Sequence, residues 1–261
     1  VRYLRDRAIA RHADYVMYVS QNFLQSRYPT RGISASASNV RIDQPNPATL
    51  AQRLEKIAAS VPDDILTVGL IGTLGHKLKG IHTALAAMRH IQDREPNRFI
   101  FKILGPGSPE RYRVMAENLG LRHCVFFDGV IQSGGEVLKW LQDIDIYLQP
   151  SFQEGVPRAT IEARSVGCPV IGSTAGGIPE LLPPEWLHMP GDVATLEKLL
   201  ERMLSDKALR HEAAMRNFEK SKFYTADRLA PIRRAFWKNF SDFIASRQGV
   251  VNHTAPFRHA V

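Results

Sequence analysis

Two glutamates near the middle of the chain, Glu154 and Glu162, have a type and spacing suited to ligand binding. They belong to residues 149–163, where a loop opens on Pro150 and leads into a predicted helix that carries Glu162 about one turn inside. Carboxylates accept hydrogen bonds from adjacent hydroxyls, and a helix N-terminus attracts phosphate. One carboxylate can hold a sugar and the other a ribose while the helix end faces phosphate. The pattern therefore predicts a nucleotide-sugar site.

A second candidate loop, residues 72–80, contains glycines and the cations Lys77 and Lys79, and joins a predicted strand to a helix. A helix N-terminus beside an ammonium group suits a phosphate, although a glycine-rich turn with solvated lysines has the same pattern. Ile71 occupies the second glycine position that a GxGxxG dinucleotide fingerprint would need. The loop thus argues against a nicotinamide cofactor.

The other polar motifs give weaker signals. The segment Gly105-Pro106-Gly107 follows a predicted strand and is either a ligand-binding turn or a plain tight turn. Asp143 and Asp145 form a DxD pattern, but they precede a buried strand, so we predict a structural role and no metal site. His76 is the one histidine placed in a candidate loop, and a solvated side chain is its simpler interpretation.

The elements that position these loops are strands and helices in alternation from Ile65 onward. Continuous apolar runs of strand length, each followed by a helical period, are typical of a parallel sheet covered on both faces. We therefore predict an α/β fold with a doubly wound, Rossmann-like sheet, in which ligands bind beyond the carboxyl ends of the strands. The predicted strands are 65–72, 99–104, 124–127, 144–148, 169–172 and 186–189, and the predicted helices between them are 79–94, 109–118, 136–142, 159–166 and 178–182.

The flanking regions have a different pattern. C-terminal helices are predicted over 193–205, 207–223 and 226–245, and residues 248–261 are predicted to form a tail without order. Residues 1–60 show one convincing strand, 15–20, and two helices, the first over 2–12. The two cysteines, Cys124 and Cys168, lie beside apolar runs and are expected to be buried thiols.

Charge is distributed unevenly along the chain. The 34 Lys and Arg exceed the 26 Asp and Glu by 8, with +5 in residues 1–60, −4 in 61–206 and +7 in 207–261. A nucleic-acid-binding protein would carry its basic surface on the folded body, so we expect no nucleic-acid partner. The basic ends can contact anionic lipid or an acidic partner, or be merely solvated. We expect a cytoplasmic protein that can lie at the membrane periphery, because no apolar run has the length of a membrane span.

The loop motifs, taken in order, resemble the donor-binding C-terminal domain of retaining GT-B glycosyltransferases of group 1. The resemblance covers about residues 65–205 and includes a Glu, seven residues and Glu after a Pro-Ser strand end. Its further matches are Lys79-Gly80, Leu104-Gly105-Pro106-Gly107, Phe127-Asp128-Gly129-Val130, Gly167-Cys168-Pro169-Val170-Ile171 and Thr174-Ala175-Gly176-Gly177-Ile178-Pro179-Glu180.

This resemblance implies roles for individual residues. It implies that Lys79 contacts donor phosphate, that Glu154 holds the sugar hydroxyls, and that Glu162 holds the ribose. Lys79 and Glu154 would be the catalytic pair, with a UDP- or GDP-sugar as substrate and no cofactor. The remaining implied donor-binding residues are Gly72, Thr73, Lys77, Gly105, Val130, Gly155 and Val156, with Val130 near the base. Thr73 departs from the family pattern, which usually has Arg as a second phosphate clamp.

The resemblance also implies a division of the chain. Residues 1–60 would be the end of an N-terminal domain with the interdomain crossing, 61–206 the donor-binding domain, 207–247 C-terminal helices and 248–261 a tail. The chain would then lack the N-terminal, acceptor-binding domain and be inactive alone. Two alternatives remain open: a catalytically inactive nucleotide-sugar or partner-binding module, which Thr73 favours, and a GT-B-fold nucleotide-sugar epimerase.

Overall fold

The chain forms two compact units in a computed structural model that describes residues 2–252, with side chains from 3 to 247. One unit combines the two ends of the chain, up to Asn39 and from Ala226 onward, and the other is Val40–Thr225. The larger unit contains every loop that the sequence marks as a candidate site.

The larger unit is built on six parallel strands: β3 Leu66–Ile71, β4 Phe99–Leu104, β5 Val125–Gly129, β6 Ile146–Gln149, β7 Val170–Ser173 and β8 Leu187–His188. Their order across the sheet is β5-β4-β3-β6-β7-β8. The order reverses direction next to β3, which is the arrangement of a doubly wound sheet. The predicted α/β, Rossmann-like fold is therefore confirmed.

Helices cover both faces of this sheet, which explains the continuous apolar runs of its strands. Ile146 and Leu148 of β6 belong to one buried hydrophobic cluster, and Tyr147 between them belongs to the other. Successive residues of a strand point to opposite faces, so both faces need apolar side chains. The helices of this unit are α3 Pro47–Ala59, α4 Ile81–Arg94, α5 Glu110–Asn118, α6 Gly135–Asp143, α7 Arg158–Ser165, α8 Val193–Ser205 and α9 Lys207–Ser221.

Local sequence signals set several helix starts. The Asn46 side chain accepts a hydrogen bond from the Ala48 backbone N–H, with Pro47 in the first helical position of α3. Asp192 caps α8 and Asp206 caps α9 in the same manner. These acidic caps satisfy N–H groups that have no partner within the helix.

The smaller unit contains a short parallel pair of strands, β1 Tyr15–Tyr18 and β2 Ile33–Ser36, with helices α1 Arg2–His12, α2 Phe23–Arg27 and α10 Ala226–Asn252. Tyr15 contacts the rings of Phe236, Phe240 and Phe243 on α10. An aromatic cluster thus joins the two ends of the chain within this unit. Between residues 2 and 252, no helix combines the length and apolarity needed to span a membrane.

The structure corrects several predicted elements. Helix α10 continues to Asn252, past the predicted end at Ala245, so residues 248–252 of the predicted tail are helical, and 253–261 lie outside the described residues. Strand β2 is absent from the predicted elements because its sequence, Ile-Ser-Ala-Ser, lacks the apolar character of a buried strand. The predicted helix 178–182 is a 3₁₀ turn, Ile178–Glu180.

Candidate functional site

The candidate loops lie together at the carboxyl edge of the sheet. Strands β3, β4, β6 and β7 end at Ile71, Leu104, Gln149 and Ser173, and in a parallel sheet these ends share one edge. The loops that follow are 72–80, 105–109, 150–157 and 174–177.

Glycine allows the first and third of these loops to touch. Gly80 has φ of 70°, and a Cβ there would lie 1.9 Å from the Pro150 carbonyl oxygen. Both the backbone angle and the available space therefore require glycine. The Phe152 backbone N–H donates to the Leu78 carbonyl at 2.8 Å and fastens the same two loops.

A second glycine contact fixes the backbone around Glu154. Gly176 has φ of 60°, and a Cβ there would lie 2.0 Å from the Glu154 carbonyl oxygen. The adjacent Gly177 N–H donates to the Gly155 carbonyl at 2.7 Å. The loop after β7 thus braces the backbone on which Glu154, Gly155 and Val156 lie.

Lys79 and Glu154 form an ion pair between two of these loops. The Lys79 Nζ lies 2.6 Å from the Glu154 Oε1, and the side chains are 25% and 9% exposed. Gly72 makes room for the lysine, because a Cβ at that position would lie 2.7 Å from its Cγ. The two residues that the resemblance implies as catalytic are therefore in direct contact and largely shielded from water.

Sequence reasoning missed a buried polar network behind Glu154. Besides Lys79, Glu154 Oε1 accepts hydrogen bonds from Gln149 Nε2 at 2.9 Å and Ser151 Oγ at 2.7 Å. Tyr147 OH in turn donates to Gln149 Oε1 at 2.9 Å. The signal in the sequence is a glutamine at the end of an otherwise apolar strand, directly before Pro150.

Glu162 lies on the first turns of α7, the helix that follows the Glu154 loop. Its side chain is 13% exposed, and its Oε1 lies 3.7 Å from Nη1 of the exposed Arg158. Burial raises the pKa of the Glu162 carboxyl, and the Arg158 guanidinium partly opposes that effect. A partly desolvated carboxylate at a helix start is suited to accept hydrogen bonds from hydroxyl groups.

Thr73, Lys77, Gly105 and Val130 are predicted donor-binding residues outside this ion pair. Thr73 Oγ1 donates to the Pro106 carbonyl and accepts from the Gly75 N–H, both at 3.3 Å. Lys77 is exposed, and the Gly105 N–H donates to the Gly129 carbonyl at 2.7 Å. Val130 is 70% exposed beyond the end of the edge strand β5. Their proposed roles stay predictions.

Asp145 of the DxD pattern lies at the opposite edge of the sheet. Its Oδ1 pairs with Lys56 Nζ at 2.6 Å, and its Oδ2 accepts from the Thr67 N–H at 2.8 Å. The carboxylate thus joins the start of β3 to α3. Within the described part of the chain, no cluster of three or more His, Cys, Asp or Glu is arranged to hold a metal ion.

The remaining candidates have simple environments. His76 is exposed in the first loop, and its carbonyl accepts from Tyr112 OH at 3.3 Å. Cys124 and Cys168 are buried free thiols, as expected. Burial raises the pKa of each thiol to about 11, which makes both unsuited to nucleophilic chemistry.

Known proteins resemble this chain in both sequence and fold. The family Glycosyl transferases group 1 matches residues 65–206. Protein CapJ of Staphylococcus aureus is 27% identical over 246 residues, covering 94% of this chain and 60% of CapJ. The amylovoran biosynthesis glycosyltransferase AmsK of Erwinia amylovora is 33% identical over 140 residues, covering 50% of this chain and 34% of AmsK. The chain thus spans less than two thirds of either relative.

A solved structure shares the fold at lower sequence identity. Alr3699/HepE of Anabaena, crystallised with UDP-glucose, superposes with a TM-score of 0.70 at 19% identity. The superposition covers 92% of this chain and 66% of HepE. At this identity the likeness concerns the fold.

Proposed function

Because the chain belongs to the glycosyl transferases group 1 family, a family of GT-B transferases, we propose that it supplies the donor site of a retaining glycosyltransferase. The donor is a nucleoside diphosphate sugar, either a UDP- or a GDP-sugar. The chain would be the C-terminal, donor-binding part of that enzyme.

The observation that carries the proposal is the Lys79–Glu154 pair at the carboxyl edge of the sheet. A carboxylate that keeps one oxygen available can accept from sugar hydroxyls, and the neighbouring ammonium can meet phosphate. Glu162 on α7 offers a second acceptor for a ribose. HepE, which shares the fold, was crystallised with UDP-glucose, and this supports the same ligand class.

In the proposed reaction, the acceptor hydroxyl attacks the sugar on the face from which the nucleoside diphosphate departs. Lys79, Lys77 and the N-terminus of α7 would stabilise the negative charge on the leaving group. Glu154 would orient the sugar. The acceptor site would belong to a second domain. The basic ends of the chain would contact that domain or anionic lipid.

A second candidate function, a catalytically inactive nucleotide-sugar module, is favoured by Thr73. The Thr73 hydroxyl makes its hydrogen bonds within the candidate loops, to the Pro106 carbonyl and from the Gly75 N–H. It carries no charge, whereas the resemblance implies a positively charged arginine at this position. Such a module would bind nucleotide sugars without turning them over.

Calorimetry with a panel of UDP- and GDP-sugars tests the proposal. We expect one base to be preferred, together with slow release of free sugar over hours. Binding without any sugar release would favour the inactive module. Absence of binding for every member of the panel would refute both.

A further inference from the structure

A chain of buried polar side chains leads from the middle of the sheet to the Glu154 carboxylate. Tyr147, Gln149, Ser151 and Thr160 are each at most 1% exposed. Buried polar groups need hydrogen-bond partners, and these four satisfy one another. The chain ends on a carboxylate that is 9% exposed and lies in the candidate site.

The amide of Gln149 is the centre of this chain. Its Oε1 accepts from Tyr147 OH at 2.9 Å and from Thr160 Oγ1 at 3.2 Å. Its Nε2 donates to Ser151 Oγ at 2.8 Å and to Glu154 Oε1 at 2.9 Å. All four hydrogen-bonding positions of the amide are therefore used.

The chemistry of the partners fixes the direction of this amide. An ionised carboxylate can only accept, so the NH₂ group must face Glu154, and the hydroxyls of Tyr147 and Thr160 then donate to the oxygen. A reversed amide would place its oxygen against the carboxylate. The hydroxyls of Tyr147 and Thr160 thus orient the Gln149 amide so that its NH₂ group donates to Glu154.

We propose that Gln149 is a positioning residue, which holds Glu154 by Oε1 so that Oε2 faces the sugar of the donor. This inference rests on the proposed donor site. Lys79 also contacts Oε1. To contact the diphosphate of the donor, its ammonium group would have to move away from Glu154. Gln149 and Ser151 then remain as the groups that keep Glu154 in place while the sugar is bound.

Two substitutions separate this role from a merely structural one. Gln149→Leu removes the donor to Glu154 at similar volume. Gln149→Glu keeps the shape but places a second carboxylate beside Glu154, and two carboxylates at this distance bind a shared proton in preference to both being ionised. Thr225→Val is the matched control, since Thr225 is also 1% exposed but its hydroxyl donates to the Lys222 carbonyl, outside this chain of side chains.

The measurement is calorimetric binding by the full chain of two ligand pairs, UDP-glucose with UDP and GDP-mannose with GDP, using the pair that the wild type binds. For Gln149→Leu we expect the sugar nucleotide to lose at least tenfold more affinity than the nucleoside diphosphate. Thr225→Val should affect both ligands alike and by less than threefold. Equal losses for both ligands in Gln149→Leu would overturn the positioning role.

The pH dependence of binding by Gln149→Glu tests the same role and can be measured even if Gln149→Leu does not fold. Sugar-nucleotide binding should be weak at pH 8 and recover towards pH 5.5, where a shared proton restores a donor to Glu154. Lys79 and Tyr147 belong to the same network, and Glu162 and Cys168 act electrostatically on Tyr147. All four are present in the wild type, so the variant is read against the wild-type profile at each pH. A pH profile parallel to the wild type would overturn the inference. A wild type that binds none of the four ligands would instead refute the proposed function, and the inference with it.

Discussion

Glu154 has two oxygens in different environments. Lys79, Gln149 and Ser151 all donate to Oε1, and within the described residues no hydrogen bond reaches Oε2. We predict that Glu154→Ala weakens nucleotide-sugar binding by about 1.5–3 kcal/mol, the range for hydrogen bonds to a charged group, and nucleoside diphosphate binding by less. Calorimetry with both ligands measures the difference. Glu212→Ala, at an exposed position, is the control. Equal losses for the two ligands in Glu154→Ala would exclude a contact between Glu154 and the sugar.

Glu162 should contribute to the nucleoside part of the ligand instead. Its carboxylate is partly buried, so a hydrogen bond from ribose would be poorly replaced by water after truncation. We expect Glu162→Ala to weaken binding of the bare nucleoside diphosphate by about 1–3 kcal/mol. A titration of wild type and variant with UDP and GDP checks this. Unchanged affinity in the variant would remove Glu162 from the site.

At the scale of elements, the short edge strand β8 contains a buried histidine that couples stability to pH. His188 is 2% exposed, its Nδ1 lies 2.8 Å from the Met189 carbonyl, and its buried Nε2 has no hydrogen-bond partner among the residues that the structure describes. The carbonyl can only accept, so Nδ1 carries the proton of the neutral ring. Burial lowers the His188 pKa, against the opposing effects of the Met189 carbonyl and Asp192.

The folded state therefore favours neutral His188. Its contribution to stability is present above the ordinary histidine pKa and is lost as pH falls through the lowered value. Urea unfolding between pH 8 and 5 should show a falling free energy of unfolding. His188→Phe should flatten the curve, whereas a variant of the exposed His211, His211→Gln, should not. An unchanged slope in His188→Phe would disprove this assignment.

The DxD segment belongs to the opposite edge of the sheet from the candidate site. Because Asp145 is paired with Lys56 and Thr67 there, we predict that nucleotide-sugar binding needs no divalent metal. Calorimetry with and without a chelator should give the same affinity. A tenfold loss on chelation, about 1.4 kcal/mol, would revive a metal-binding role for this segment.

Elements differ in how far the sequence predicts them. The strands from β3 to β7 are continuous apolar runs between helices, and the sequence predicts them to within a few residues. Strand β2 escapes such a prediction because it pairs only with β1 and is made mostly of small side chains. Gln149 is part of the predicted motif, yet its contact with Glu154 depends on how the loop folds back on the strand end, which spacing alone does not specify.

At the scale of the whole molecule, residues 40–225 form one Rossmann-like unit, whereas the GT-B resemblance implies two such domains around an active site. The chain spans 60% of CapJ. We therefore propose that an acceptor-binding domain outside these residues completes the enzyme.

Donor binding and transfer to an acceptor should be separable in this chain. Residues 1–261 should bind the donor and release sugar slowly to water, but they should not glycosylate an acceptor, because the proposed acceptor-binding domain, which would position the hydroxyl for attack, lies outside these residues. The measurement compares transfer of radiolabelled sugar by this chain and by a chimera that adds the part of CapJ which the chain does not cover. The chimera carrying Glu154→Ala is the control for background transfer. Robust glycosylation by residues 1–261 alone would show that acceptor binding and catalysis both lie within this chain.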